Sequence, residues 1–202
     1  MALIALAVYI AGLLLAFGVR SWLAWRRTGD TGFRRPREAA FSAPWWGAVL
    51  FAAALVLGLA APAAAAAGVP PAPPALPAAV GRAGLGAMAA GLALVLLSQA
   101  AMGASWRVGV DAGERTDLVT TGVFGLVRNP VFTAMGLLLA GMAAAVPTPV
   151  SAAALAAFIA AVQIQVRVVE EPYLAAAHGE AYRRYAGRTG RFLPGLGRLG
   201  TR

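Results

Sequence analysis

Two stretches of the 202-residue chain set polar and ionisable groups at the ends of apolar runs. The first, Trp106 to Phe132, contains Asp117-Leu118-Val119-Thr120-Thr121-Gly122-Val123-Phe124 and then Arg128-Asn129-Pro130. Asparagine is a favoured helix N-cap and proline a favoured first helical residue, so a helix is expected to start at Pro130 with free N–H groups at its end. Such an end can receive a carboxylate or phosphate, and Arg128 adds a bidentate donor beside it. The same residues also fit an ordinary cap preceded by an arginine that marks one membrane face. The second stretch is Gln163, Gln165, Arg167, Glu170 and Glu171, leading into Pro172. Gln163, Arg167, Glu170, Glu171 and Leu174 recur at helical spacing, so much of this polarity can share one face. Arg167 can pair with Glu170 or Glu171 three or four residues on. Such a pair either eases a helix into the headgroups or marks a site, because ionisable groups buried at a membrane helix end are costly.

The elements that position these groups are apolar runs: Ala2 to Val19 (extending toward Trp25), Trp45 to Ala67, Leu85 to Met102, Val131 to Val146 and Val150 to Val169. The expected fold is all-α, a polytopic transmembrane bundle of five spans. The fourth run, closed by Pro147 and Pro149, would reach only about 22–24 Å as a helix and falls short of the roughly 30 Å hydrocarbon core. Arg26, Arg27, Arg34, Arg35 and Arg37 follow the first run, Arg107, Arg115 and Arg128 the third, and many arginines the fifth. The other connections, Gly68 to Pro77 and Pro147-Thr148-Pro149, carry no charge. The positive-inside rule therefore predicts a cell-membrane protein with its N-terminus outside and its C-terminus cytoplasmic. Two parts are expected: residues 1–105 with spans one to three, and residues 106–202 with spans four and five and the tail. Pro172 is expected to break or kink the last helix. Tyr173 to Tyr185 then forms a cytoplasmic amphipathic helix, with Leu174, Tyr182 and Tyr185 partly buried and the tail folding back over the opening.

With 60% hydrophobic and 12% charged residues, the bilayer is the expected solvent. The net charge of +9 sits in short loops rather than on one soluble face, which argues against a nucleic-acid partner. Every basic residue is arginine, as a GC-rich coding bias would also produce, so no single arginine is informative by type alone. There is no cysteine, which excludes thiolate nucleophiles, disulfides and cysteine metal sites. The single histidine, His178, reads as a packing residue, and no metal site is expected. Neither internal repeats nor mid-span ionisable residues favour a carrier.

Leu118-Val119-Thr120-Thr121-Gly122-Val123-Phe124, Val127-Arg128-Asn129-Pro130-Val131-Phe132, Glu170-Glu171, Gly179-Glu180-Ala181-Tyr182-Arg183-Arg184-Tyr185 and Arg191-Phe192-Leu193-Pro194 occur in this order. The pattern resembles the isoprenylcysteine carboxyl methyltransferase family of integral membrane enzymes over roughly Trp106 to Pro194. The resemblance implies S-adenosylmethionine as cofactor, held between the cytoplasmic ends of the last spans and the tail. It assigns cofactor binding to Thr116, Asp117, Leu118 and Val119, to Phe124, to Asn129, Pro130, Val131 and Phe132, and to Glu170 or Glu171. The family's substrate-facing arginine lies four residues before the cofactor glutamate, which pairs Arg167 with Glu171; alignment from Gly179 favours Glu170 instead.

Many prenylcysteine enzymes carry His-Pro and then Tyr where this chain has Asn129-Pro130 and Phe132, so the resemblance transfers the cofactor and not the substrate. On this reading Arg128 and the helix start at Pro130 receive the cofactor carboxylate, Phe124 and Phe132 hold the adenosine, and the glutamate lies near the sulfonium or amino group. Arg167 orients an anionic substrate group. The expected partners are membrane lipids and a lipophilic acceptor: an isoprenoid or other carboxylate, a thiol or a lipid amine. The alternatives are a non-enzymatic carrier or assembly protein on the same scaffold, and a phospholipid N-methyltransferase with less need of Arg167.

Overall fold

Uncharged runs of Ala, Leu, Val and Gly can satisfy their own backbone N–H and C=O groups in lipid by forming helices. The computed structural model describes residues 1–31, 39–69, 76–103 and 117–200 and is all-α. Its described residues form α1 (Ala2–Thr28), α2 (Ala43–Ala66), α3 (Ala78–Met102), the single turn α4 (Val123–Leu126), α5 (Pro130–Ala145) and α6 (Pro149–Arg188). Four of them, α1, α2, α3 and α6, are long and apolar enough to cross a membrane, which makes this a multi-pass membrane protein. With 16 residues α5 reaches about 24 Å. The five expected apolar helices are thus present, and four of the five have spanning length. Arg34, Arg35, Arg37, Arg107, Arg115 and most of the proline-rich stretch lie outside the described residues.

Hydrophobicity gives helices in lipid no reason to associate with one another, so close backbone approach must do so. The tightest contact joins α3 to α5 through glycine. A Cβ on Gly84 would stand 2.5 Å from the Gly141 carbonyl oxygen, and one on Gly91 would stand 2.7 Å from the Leu138 nitrogen. Gly58 of α2 leaves room for Tyr9 of α1, whose hydroxyl donates to the Leu55 carbonyl at 3.0 Å. Met88, Leu139, Met142 and Phe158 fill the centre.

Both α1 and α6 widen into a π-turn, at Leu14–Val19 and Gln165–Glu170. The second accounts for a departure from the sequence expectation: Pro172 does not break α6. Proline lacks an N–H and crowds the carbonyl four residues back, and the wider turn just before it relieves both conflicts. The bend falls instead at Gly179 (φ 53°, ψ −124°), a conformation that suits glycine. Beyond it Tyr182 is buried and Tyr185 half-buried, while Arg183 and Arg184 face outward.

Candidate active site

The start of α5 is tied to residues distant in sequence. Arg128 is buried and its guanidinium is divided among four acceptors. Nη1 donates to the carbonyls of Ala186 (3.0 Å) and Thr189, and Nη2 to Glu171 Oε1 (2.6 Å) and the Gly197 carbonyl (3.1 Å). Arg191 donates to the same carboxylate, Nε to Oε1 at 2.7 Å and Nη2 to Oε2 at 2.9 Å. Glu171 thus lies between two guanidiniums. Its hydrogen bonds push the Arg191 pKa up, against the opposing effect of burial.

The backbone completes the clasp. Val127 and Gly190 form an isolated parallel bridge, Arg128 N donates to the Gly190 carbonyl at 2.8 Å, and Asn129 N donates to the Arg191 carbonyl at 3.1 Å. Thr133 Oγ1 donates to the Phe192 carbonyl at 2.8 Å, and Tyr185 fastens α4 by donating to the Phe124 carbonyl at 2.7 Å. The tail therefore folds back onto the polar end of the bundle. Gly190 is obligatory in this clasp, since a Cβ there would meet the carbonyl oxygen of Leu193 and, at 2.8 Å, the nitrogen of Gly195.

Two sequence expectations change. Asn129 occupies the N-cap position, but no side chain among the described residues caps α5; the Asn129 amide donates to the Arg191 carbonyl at 3.0 Å instead. Tail docking has taken the side chain that would have closed the helix end. Arg167 pairs with neither glutamate. It is exposed and donates to Gln163 Oε1 at 2.7 Å, because Arg128 and Arg191 already occupy Glu171 and the π-turn alters the spacing of this face. Glu170 is half-buried and accepts from Gln165 Nε2 at 3.3 Å.

The remaining candidates are spread around this end. Asp117 is exposed, Leu118 and Val119 are half-buried, and Phe124 and Pro130 are buried. Val131 is half-buried, and the Phe132 ring lies 6.4 Å from that of Phe51, within the bundle. Thr116 lies outside the described residues. Sequence reasoning gave no role to two polar residues that the structure ties in, Arg191 and Gln99. Arg191 was visible only as part of a motif, whereas Gln99 was the one amide in the run from Leu85 to Met102, whose only other polar side chain is Ser98. Gln99 is 4% exposed and donates from Nε2 to the Ala16 carbonyl at 3.0 Å.

A model of the phospholipid methyltransferase family matches residues 80–181, just over half of the chain, from the first turn of α3 through both glutamates. The chain belongs to the phospholipid methyltransferase family. This family falls within the same superfamily of membrane methyltransferases as the enzymes the sequence resembles. No match was found among curated proteins or among solved structures. As a phospholipid methyltransferase family member the protein is an enzyme that uses S-adenosylmethionine. The residues at the start of α5 fit that cofactor chemically. A carboxylate can take the uncapped N–H groups of α5 and the Nε–H of Arg128, which is buried without a partner among the described residues. The cofactor's cationic groups can take Glu170.

Proposed function

We propose that the protein transfers a methyl group from S-adenosylmethionine to the amine of a membrane phospholipid. The family match over residues 80–181 carries this reading. It moves the lipid amine ahead of the isoprenoid carboxylate or thiol suggested by resemblance alone. Bound S-adenosylmethionine supplies an electrophilic methyl group on a sulfonium. The chain must bring the acceptor nitrogen in line at about 3–3.5 Å and keep water out.

The uncapped start of α5 and Arg128 Nε orient the cofactor carboxylate. Phe124, Asn129, Pro130, Val131 and Phe132, with the stretch from Asp117 to Val119, border its adenosine. Glu170 balances its positive charge. The clamping of Glu171 supports this division: both its oxygens already serve Arg191, and one also serves Arg128. Glu171 holds the tail, and Glu170 is the glutamate left for the cofactor. The site faces the cytoplasmic leaflet on the positive-inside orientation.

The test is to supply purified protein in phosphatidylethanolamine vesicles with methyl-labelled S-adenosylmethionine. Base-stable label in the lipid is expected, because N-methyl groups survive alkali. Label released as methanol by alkali, or transferred only to an added isoprenoid acid, would instead establish a carboxylate acceptor.

A further inference from the structure

We infer that Gln99 receives the acceptor amine and thereby sets how many methyl groups the protein adds; this rests on the lipid-amine reading above. Gln99 is buried about one turn from the end of α3, yet its amide is only half used. Its Nε2 donates to the Ala16 carbonyl, within the π-turn of α1. That bond fixes which end of the amide is which, and Oε1 is left buried with no partner among the described residues. The backbone around it is also held: Arg20 Nη2 donates to the carbonyls of Gln99 at 3.2 Å and Gly103 at 2.7 Å. Ser21 Oγ, next to Arg20 in sequence, is a second buried polar atom without a partner among the described residues. Native proteins leave few such atoms unsatisfied, so a fixed, buried acceptor implies a donor that arrives with a ligand.

The position suits an acceptor. Gly84 stands against Gly141 and Ala145, and Gly91 against Ala134 and Leu138, so α3 and α5 run antiparallel in a defined register. Continuing that register one turn past Val95 and Ala134, which share a cluster, brings Gln99 level with Arg128 to Pro130. Gln99 thus lies level with the start of α5, on the side where Ala16 of α1 packs.

The chemistry of an amide fits the reaction. Only a neutral amine has the lone pair that attacks. A carboxylate at this point would favour the unreactive ammonium, whereas an amide oxygen accepts an N–H from the neutral form. The lone pair forms the N–CH3 bond as the S–CH3 bond breaks and the sulfonium becomes a neutral thioether. The new ammonium then releases its proton to water. Primary and secondary amines have an N–H for Gln99; a dimethylamine in its neutral form has none. The first two transfers therefore gain from Gln99 and the third does not.

The experiment measures methyl transfer to vesicles containing phosphatidylethanolamine or its monomethyl or dimethyl derivative, for wild type and Gln99→Met. Wild type should accumulate the dimethyl lipid. Gln99→Met should slow the first two transfers by about three- to tenfold, the worth of one neutral hydrogen bond, and leave the third unchanged. Because partial misfolding would lower all three rates together, the ratio of first to third transfer is the readout. An unchanged ratio in active protein, or rapid trimethylation by wild type, overturns the role of Gln99 and leaves the lipid-amine reading standing. Wild-type protein that binds S-adenosylhomocysteine but methylates none of the three lipids overturns both.

Discussion

Two helices of this bundle begin with the same sequence signature and end up differently. Thr148-Pro149 and Asn129-Pro130 each pair a favoured cap residue with a favoured first helical residue. At α6 the signature closes on itself. Thr148 Oγ1 accepts from Ser151 N at 3.1 Å, Ser151 Oγ accepts from Thr148 N at 3.0 Å, and Ser151 is fully buried. At α5 the Asn129 side chain turns away to the tail and the helix end has no side-chain cap. The difference teaches that a cap residue shows where a helix starts, not whether its end is closed. An end held open by distant residues is available to a ligand.

The largest test of this contrast is Glu171→Ala, which leaves the buried Arg128 and the half-buried Arg191 without their shared carboxylate. Removing one partner of a buried pair costs about 3–5 kcal/mol. Thermal unfolding in detergent should show a loss of that order, together with loss of cofactor binding. Wild-type stability with normal binding would mean that the clasp does not hold the α5 start. Next comes the ligand itself: S-adenosylhomocysteine at 100 times its dissociation constant should add about 2.7 kcal/mol to wild type and little to Glu171→Ala. Thr148→Ala should cost about 1 kcal/mol as a lost cap and leave cofactor affinity, measured by calorimetry, unchanged. The smallest effect belongs to Arg167→Ala, within about ±0.5 kcal/mol for an exposed side chain, with turnover on lipid amines preserved. A large fall in turnover would return Arg167 to the substrate and revive an anionic acceptor.

The helices were legible because long apolar runs have one solution in lipid. The expected run Trp45 to Ala67 is α2 almost to the residue. The run beginning at Leu85 starts earlier, at Ala78, because the single Arg82 can face outward from a helix it does not end. The start of α5 was legible from Asn129-Pro130, and Arg128 and Glu171 were both candidates. Their pairing was not legible, since 43 residues separate them and local spacing offered Arg167 as the nearer partner. The continuity of α6 was hidden for a similar reason: helical periodicity assumes a uniform turn, and Gln165–Glu170 is wider. Gln99 was unreadable because its meaning lies in which of its two amide ends is occupied.

The shortness of α5 has a consequence for how the chain enters the bilayer. Gly84 already faces Ala145, the last residue of α5, while α3 continues back to Ala78, about 9 Å farther at 1.5 Å per residue. The turn from Val146 to Pro149 is therefore recessed below the end of α3, without a charge and with its backbone groups satisfied by Thr148 and Ser151. During biosynthesis α5 and α6 can partition from the translocon as one hairpin, with no hydrophilic loop to be carried across.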